Sequence, residues 1–342
     1  MNNKRLRVSI IIPTHNRKNS LREALCSLTR LDYSREQYEV IVIDDGSSDG
    51  TEEMLAKMQG SLSYLLRYGK LRGKRGSSAA RNLGMQMAKG EIFVFTDDDC
   101  LFDKGWLTML LAAFDSHKVG VVGGPDFTRE EASFFSICVG YLFTSFIGTG
   151  GLRRGDRFRV GRYYPKGCNM AMSREAIDKV GGFDELLGVG EEIELGYRIE
   201  KGGFKIKYAP SAFIWHKRKG TLKEYLRKIY RIGYTRVILA RKHRGLLEIG
   251  HMIPFVWLLM VFCFLFLSLA RPSVFSLLLL LTSIYFLIVL VSGVQAFLKI
   301  KDIRALFVIP LLIPLHHATH GIGFLIAGVK HLLRFKSIYL PK

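Results

Sequence analysis

Asp97, Asp98 and Asp99 stand in a row at the end of the apolar run Ile92-Phe93-Val94-Phe95-Thr96. Carboxylates this close repel one another. Desolvation beside a buried strand favours their protonation unless a cation neutralises them. A hard divalent metal is the simplest such cation, because it takes carboxylate oxygens. Held at the C-terminal edge of a strand, it suits a phosphate-bearing ligand. The bland alternative is a solvated acidic turn. Two other polar clusters close apolar runs: Pro13-Thr14-His15-Asn16-Arg17, and Asp44-Asp45-Gly46-Ser47-Ser48-Asp49-Gly50-Thr51. Thr14 and Asn16 offer hydrogen bonds to a ring or sugar. Asp44 or Asp45 offers an acceptor to a base N–H or a ribose hydroxyl. Asp, Gly and Ser are also the usual turn residues, so a capped loop is the competing reading.

The elements that position these residues alternate between strand and helix. Val8–Ile12 and Val40–Ile43 are continuous β-branched or apolar runs, as is Ile92–Phe95, and Val119–Val122 reads as a fourth. Unbroken apolar strands are expected of a parallel sheet covered on both faces. Ser20–Leu31, Thr51–Met58 and Ser77–Lys89 carry helical spacing between them. The pattern predicts an α/β fold with a mainly parallel, Rossmann-like sheet whose ligand lies at the strands' carboxyl ends.

The second half differs. Of 342 residues 49% are hydrophobic, and the excess collects after residue 250. Three stretches, 252–270, 272–298 and 305–329, lack Asp, Glu, Lys and Arg. Each exceeds the roughly 18 residues needed for a membrane span. Formal net charge is +20, and Lys217–Glu248 holds eleven Lys or Arg against two Glu, directly before the first stretch. That placement points to an anionic membrane surface rather than nucleic acid. No zinc-finger spacing or RNA-binding aromatic signature accompanies it. Leu222, Tyr225, Leu226, Ile229, Gly233 and Val237 make 219–249 a basic amphipathic segment expected on the headgroups, the alternative being a solvated helix packed on the N-terminal domain. Residues 132–152 are uncharged and aromatic-rich. They read as an interfacial segment, with a core helix the alternative. The net-positive loop Lys299–Arg304 is expected in the cytoplasm. Three spans are the preferred reading, and they would put the tail with Lys330, Arg334, Lys336 and Lys342 outside, although its charge favours the inside. Pro310 and Pro314 offer a break at which the third segment would re-enter. His316 and His320 share a helical face there, a spacing that can ligate metal but, without carboxylates, points to interhelical or headgroup contacts. Five cysteines without a Cys-x-x-Cys spacing argue against a disulfide framework and fit a reducing compartment.

Taken together the motifs resemble family 2 glycosyltransferases of the GT-A fold. The resemblance rests on Ser9–Arg17, Val42–Thr51, Ala79-Ala80-Arg81-Asn82-Leu83-Gly84 and Phe95–Asp99, in order and spacing. Gly167-Cys168-Asn169-Met170 and Gly182-Phe183-Asp184-Glu185 resemble that family's acceptor-side segment. The likeness covers roughly residues 6 to 218 and implies a catalytic domain over 1–218, followed by the basic segment 219–249 and a membrane domain over 250–342.

The resemblance also implies roles. Asp44 and Asp45 would hold base and ribose, with Pro13, Thr14 and Asn16 beside them, and Arg81 would meet the base or a phosphate. Asp97 and Asp99 would form the DxD pair around Mn²⁺ or Mg²⁺, with Asp98 counted among the nucleotide-binding residues. His216, after a short strand, would face metal or diphosphate. Family members usually read Gly-Glu-Asp-x-Asp-Leu where this chain has Gly190-Glu191-Glu192-Ile193-Glu194-Leu195. The general base is therefore Glu192 or Glu191, with Glu192 preferred. The processive synthases' Gln-x-x-Arg-Trp motif is missing from residues 200–245. This implies transfer of one sugar from a nucleotide-sugar donor, UDP-linked first, to a lipid-linked glycan acceptor at the bilayer. The narrower likeness is to exopolysaccharide enzymes of the succinoglycan type, in the inner (plasma) membrane with the catalytic domain cytoplasmic. A polyprenyl-phosphate sugar synthase and a non-catalytic membrane scaffold are the rival readings, and no nucleic-acid partner is expected.

Overall fold

Strands form where β-branched and apolar residues run together, and helices where apolar residues recur every three or four positions. The computed structural model describes residues 7–128, 132–149, 162–217, 220–268 and 272–333. In chain order its elements begin β1 (Val8–Thr14), α1 (Lys18–Leu28), β2 (Tyr38–Asp44), α2 (Thr51–Met58), β3 (Leu65–Lys70), α3 (Ser77–Met87) and β4 (Ile92–Thr96). There follow β5 (Cys100–Phe102), α4 (Trp106–Ala112), β6 (Val119–Gly123), β7 (Asp126–Thr128), α5 (Phe134–Thr144), α6 (Phe146–Thr149), β8 (Asn169–Ser173) and α7 (Arg174–Val180). The rest are α8 (Glu191–Lys201), β9 (Lys205–Tyr208), β10 (Ile214–His216), α9 (Leu222–Lys242), α10 (Ile249–Ser268), α11 (Pro272–Ile300) and α12 (Ala305–Leu332).

The chain divides into two units. One is built from Met1–Arg129 and Tyr163–Arg218, the other from Glu130–Arg162 and Lys219–Leu340. In the first unit a seven-stranded sheet runs β3-β2-β1-β4-β8-β6-β9. It is parallel except for β8, which is antiparallel to both β4 and β6. The expected mainly parallel α/β architecture is therefore present. Alternate strand residues feed two cores. Ile10, Ile12, Val40 and Val42 pack with α1, α2 and α4. Ile11, Ile41, Phe93 and Phe95 pack with α3, α7 and α8. A second, three-stranded sheet, β5-β10-β7, sets β10 antiparallel to β5 and parallel to β7.

The second unit is helical, and α10, α11 and α12 are each long and apolar enough to cross a membrane. The apolar helix α5 packs in this unit's core: Cys138, Leu142 and Phe143 are buried with Tyr225, Ile229 and Ile313. Helix α9 starts at a capping box made by Thr221 and Glu224. Its apolar face is covered by α12. A Cβ at Gly233 would come within 2.1 Å of the His320 carbonyl oxygen, and one at Gly323 within 2.2 Å of the Tyr230 carbonyl oxygen. Only glycine allows that approach. Helix α12 continues through Pro310 and Pro314, so neither proline breaks it. His316 Nδ1 lies 2.7 Å from the Tyr225 hydroxyl and His317 Nδ1 lies 3.0 Å from that of Tyr285, the interhelical contacts expected of these histidines. Arg334, Lys336 and Lys342 lie outside the described residues.

Candidate active site

The carboxylates of the triplet diverge as the chain leaves β4. Asp98 turns inward. Its Oδ2 accepts from Thr14 Oγ1 at 2.7 Å and its Oδ1 from Arg17 Nη1 at 3.1 Å. Burial pushes its carboxyl up to about 6, against the opposing pull of Arg17 and Thr14. Thr14 and Asp98 are thus tied to each other, fastening the end of β1 to the end of β4. Thr14 is buried, so the expected hydrogen bond from its hydroxyl to a ring or sugar is not made available.

Asp99 points the other way. Its Oδ2 accepts from Arg17 Nη1 at 2.6 Å. Its Oδ1 lies 3.0 Å from His216 Nε2, close enough for an ion pair but misaligned for a hydrogen bond. Burial raises its pKa, yet His216 and Arg17 outweigh this and hold it below the ordinary carboxylate value. The small sheet explains the meeting: register sets His216 opposite Cys100, and the Lys217 amide donates to the Asp99 carbonyl at 2.8 Å. On the other side of the ring, His216 Nδ1 is 3.8 Å from Asp126 Oδ2, and Asp126 is paired with Lys166. Burial draws the imidazole pKa down, but Asp126 and Asp99 carry it well above its ordinary value.

Asp97 is about one-third exposed and accepts from Arg81 Nη2 at 3.1 Å. Arg81 also donates from Nη1 to Glu191 Oε1 at 2.9 Å and is buried. The guanidinium pairs with one part-exposed and one buried acid and links β4 to the first turn of α8. Gly167 makes room for it, since a Cβ there would lie 2.7 Å from Arg81 Nη2. Next to it, Asn82 Nδ2 donates to the Phe183 carbonyl at 2.9 Å and the Phe183 amide donates back to Asn82 Oδ1 at 2.9 Å. The Arg81-Asn82 pair therefore anchors both later motifs. Glu191 is committed to Arg81, while Glu192, next in the same turn, is half-buried.

Asp44 and Asp45 are buried and brace loops. Asp44 Oδ1 accepts from the Ser47 amide at 2.7 Å and Oδ2 from the Tyr68 hydroxyl at 3.2 Å. Asp45 accepts from the Arg75 amide at 2.5 Å and the Gly76 amide at 2.8 Å. Asn16, exposed with φ of 52°, accepts from the Ser48 amide at 2.8 Å. Pro13 is half-buried at the end of β1. These residues do share one edge of the sheet, but much of their polar capacity is already used in shaping it.

Asp97, Asp99 and His216 fit a divalent cation on chemical grounds. Two are hard oxygen donors, and the third is an imidazole. Asp99 Oδ1, which faces His216 Nε2, is buried without a hydrogen-bond partner, whereas the unpartnered His216 Nδ1 faces Asp126. Cys100 and Cys168 also come close enough to His216 to complete three-residue clusters, though thiols are poor ligands for Mn²⁺ or Mg²⁺. Sequence reasoning missed two groups. Arg17 is the cation that Asp98 and Asp99 already share; its signal was its place two residues after Thr14-His15. Asp126 had no sequence signal, because only strand pairing brings it to His216.

The model for "Glycosyl transferase family 2" matches residues 9–181, just over half of the chain. The chain belongs to glycosyl transferase family 2. Similar curated proteins are varied members. Glycosyltransferase AglE of Haloferax volcanii is 27% identical over 230 residues, covering 66% of this chain and 71% of its own length. The probable glycosyltransferase YdaM of Bacillus subtilis is 26% identical over 227 residues, covering 65% of this chain and 53% of YdaM. The pre-mycofactocin glycosyltransferase of Mycobacterium tuberculosis is 27% identical, covering 69% of this chain and 48% of that protein. This chain thus spans only about half the length of the last two. In fold it is similar to a mannosyltransferase of Pyrobaculum calidifontis solved with GDP-Man and Mn²⁺, with TM-score 0.60, 21% identity, and coverage of 96% of this chain and 88% of that one.

Proposed function

We propose that this chain is a membrane-anchored, metal-dependent, inverting glycosyltransferase. It moves one sugar from a nucleotide donor, UDP-linked first among them, to a hydroxyl of a polyprenyl-diphosphate-linked glycan. The setting is cell-surface or exopolysaccharide assembly, with the catalytic unit on the cytoplasmic side of the inner membrane. The observation that carries this reading is one connected acidic edge. Asp99 meets His216, and Asp97 is linked through Arg81 to the first turn of α8, where Glu192 stands.

The acceptor oxygen attacks the anomeric carbon from the face opposite the diphosphate. The bond from that carbon to the diphosphate oxygen breaks, and its electron pair leaves with the nucleoside diphosphate. The hydroxyl proton passes to the Glu192 carboxylate. Bound by Asp97, Asp99 and His216, a divalent ion would supply charge stabilisation for the leaving diphosphate. The apolar helices support a lipid acceptor through proximity, since tethering raises its effective concentration.

The test is a panel of UDP- and GDP-sugars with Mn²⁺, using full-length protein in liposomes that contain polyprenyl phosphate or a polyprenyl-diphosphate glycan. Glu192→Gln should lower kcat by about 10²–10⁴-fold. Asp99→Ala should also lose transfer. Acceptance of the bare lipid phosphate alone would favour a polyprenyl-phosphate sugar synthase. No transfer from any donor would leave a scaffold.

A further inference from the structure

Helix α12 has the length and composition of a membrane span, but its neighbour does not. Helix α9 carries Lys223, Arg227, Lys228, Arg231, Arg236, Arg241 and Lys242 against the single acid Glu224. The two helices touch backbone to backbone at Gly233 and Gly323. Their contact extends from the Tyr225–His316 pair to Lys330, whose Nζ sits 5.6 Å from the Tyr234 ring centroid. The stretch His316–Lys330, about 21 Å at 1.5 Å per residue, therefore runs against a strongly cationic helix. Each such side chain costs about 2.5–3.5 kcal/mol at the centre of a bilayer. Snorkelling relieves this only near a headgroup layer. The remainder of α12, Ala305–Leu315, spans about 16 Å, half of the roughly 30 Å hydrocarbon core.

The hairpin of α10 and α11 gives the same answer. Helix α12 meets α10 near the start of that helix. Phe324 stacks on Phe255 at 5.2 Å, and a Cβ at Gly321 would lie 2.9 Å from the Pro254 carbonyl oxygen. It meets α11 from the middle of that helix, at Tyr285, into its later half, at Gly293. Farther along the hairpin, side chains such as Phe266 and Leu280 are 76% and 58% exposed. On α12 itself Phe307, Leu311, Leu315, Ile322, Leu325 and Val329 are exposed. Their spacing makes one lengthwise stripe, as a helix lying in a membrane plane requires.

We propose that α12 does not cross the bilayer. It lies in one leaflet beside α9, with its exposed stripe in that leaflet's acyl chains and the basic side chains of α9 on anionic headgroups. The membrane is crossed twice, by α10 and α11, and residues after α12 stay on the side from which α10 enters. This removes the conflict between three spans and the basic residues Lys330, Arg334, Lys336 and Lys342.

The test uses the full chain in a bacterial host, with a fluorescent-protein or alkaline-phosphatase reporter at the N-terminus, after Lys342, or after Ala270. The proposal expects the same reading at both termini, fluorescence without phosphatase activity, and the opposite reading after Ala270. Phosphatase activity after Lys342, with fluorescence at the N-terminus, overturns it. A second measurement separates a flat helix from a deep re-entrant one. Ile322→Trp in reconstituted protein should be quenched more by lipids brominated near the headgroup than by lipids brominated near the chain end. The reverse order overturns the proposal. Neither readout depends on activity, so a failed donor panel leaves both informative.

Discussion

Two arginines serve the same acidic edge in opposite ways. Arg81 bridges Asp97 and Glu191 with a side chain only 5% exposed. Arg17 bridges Asp98 and Asp99 with a side chain 53% exposed. Arg81 is a fixed internal counter-ion: removing it strands the buried carboxylate of Glu191 and unpairs Asp97. Arg17 sits in water's reach, and a different cation can take over its charge. Burial, more than the chemistry of the pair, separates scaffold from exchangeable site.

The sharpest way to break this contrast is Arg81→Met. It should destabilise the protein by about 3–5 kcal/mol, as expected when one partner of a buried pair is lost. The check is the denaturant midpoint of the detergent-solubilised chain. Adding Glu191→Gln should recover part of the loss, because one stranded charge goes with it. A smaller effect tests the space around the buried guanidinium. Gly167→Ala places a methyl 2.7 Å from Arg81 Nη2 and should cost about 1–3 kcal/mol by the same assay. Smallest in stability is Arg17→Met, because water can take the place of its half-exposed guanidinium beside Asp98 and Asp99. Its effect appears elsewhere: Mn²⁺ should bind more tightly without nucleotide, because a competing cation is gone. Equal midpoints for Arg17→Met and Arg81→Met would end the comparison.

The central strands were legible because β1, β2, β4 and β6 are unbroken apolar runs, and α2 kept its boundaries of Thr51 and Met58. Strand β3 was not, since an edge strand with Arg67 and Lys70 lacks that signature. The site residues were gathered on one edge as the motifs implied. Their partners were hidden, because Asp98 with Thr14 and Arg81 with Glu191 are pairings across 84 and 110 residues. The acidic triplet also suggested a metal as the simplest neutralising cation, whereas Arg17 and Arg81 already supply much of that charge. The apolar stretches announced α10, α11 and α12. Composition could not announce that α9 packs on α12, which depends on two glycines meeting two carbonyls.

The most direct measurement is Mn²⁺ binding followed by electron paramagnetic resonance on the full chain, with and without UDP, for the native protein and Asp99→Ala. The account predicts one tightly bound ion per chain in the presence of UDP, lost in Asp99→Ala. Binding that is absent from the native protein, or that survives Asp99→Ala unchanged, would contradict it.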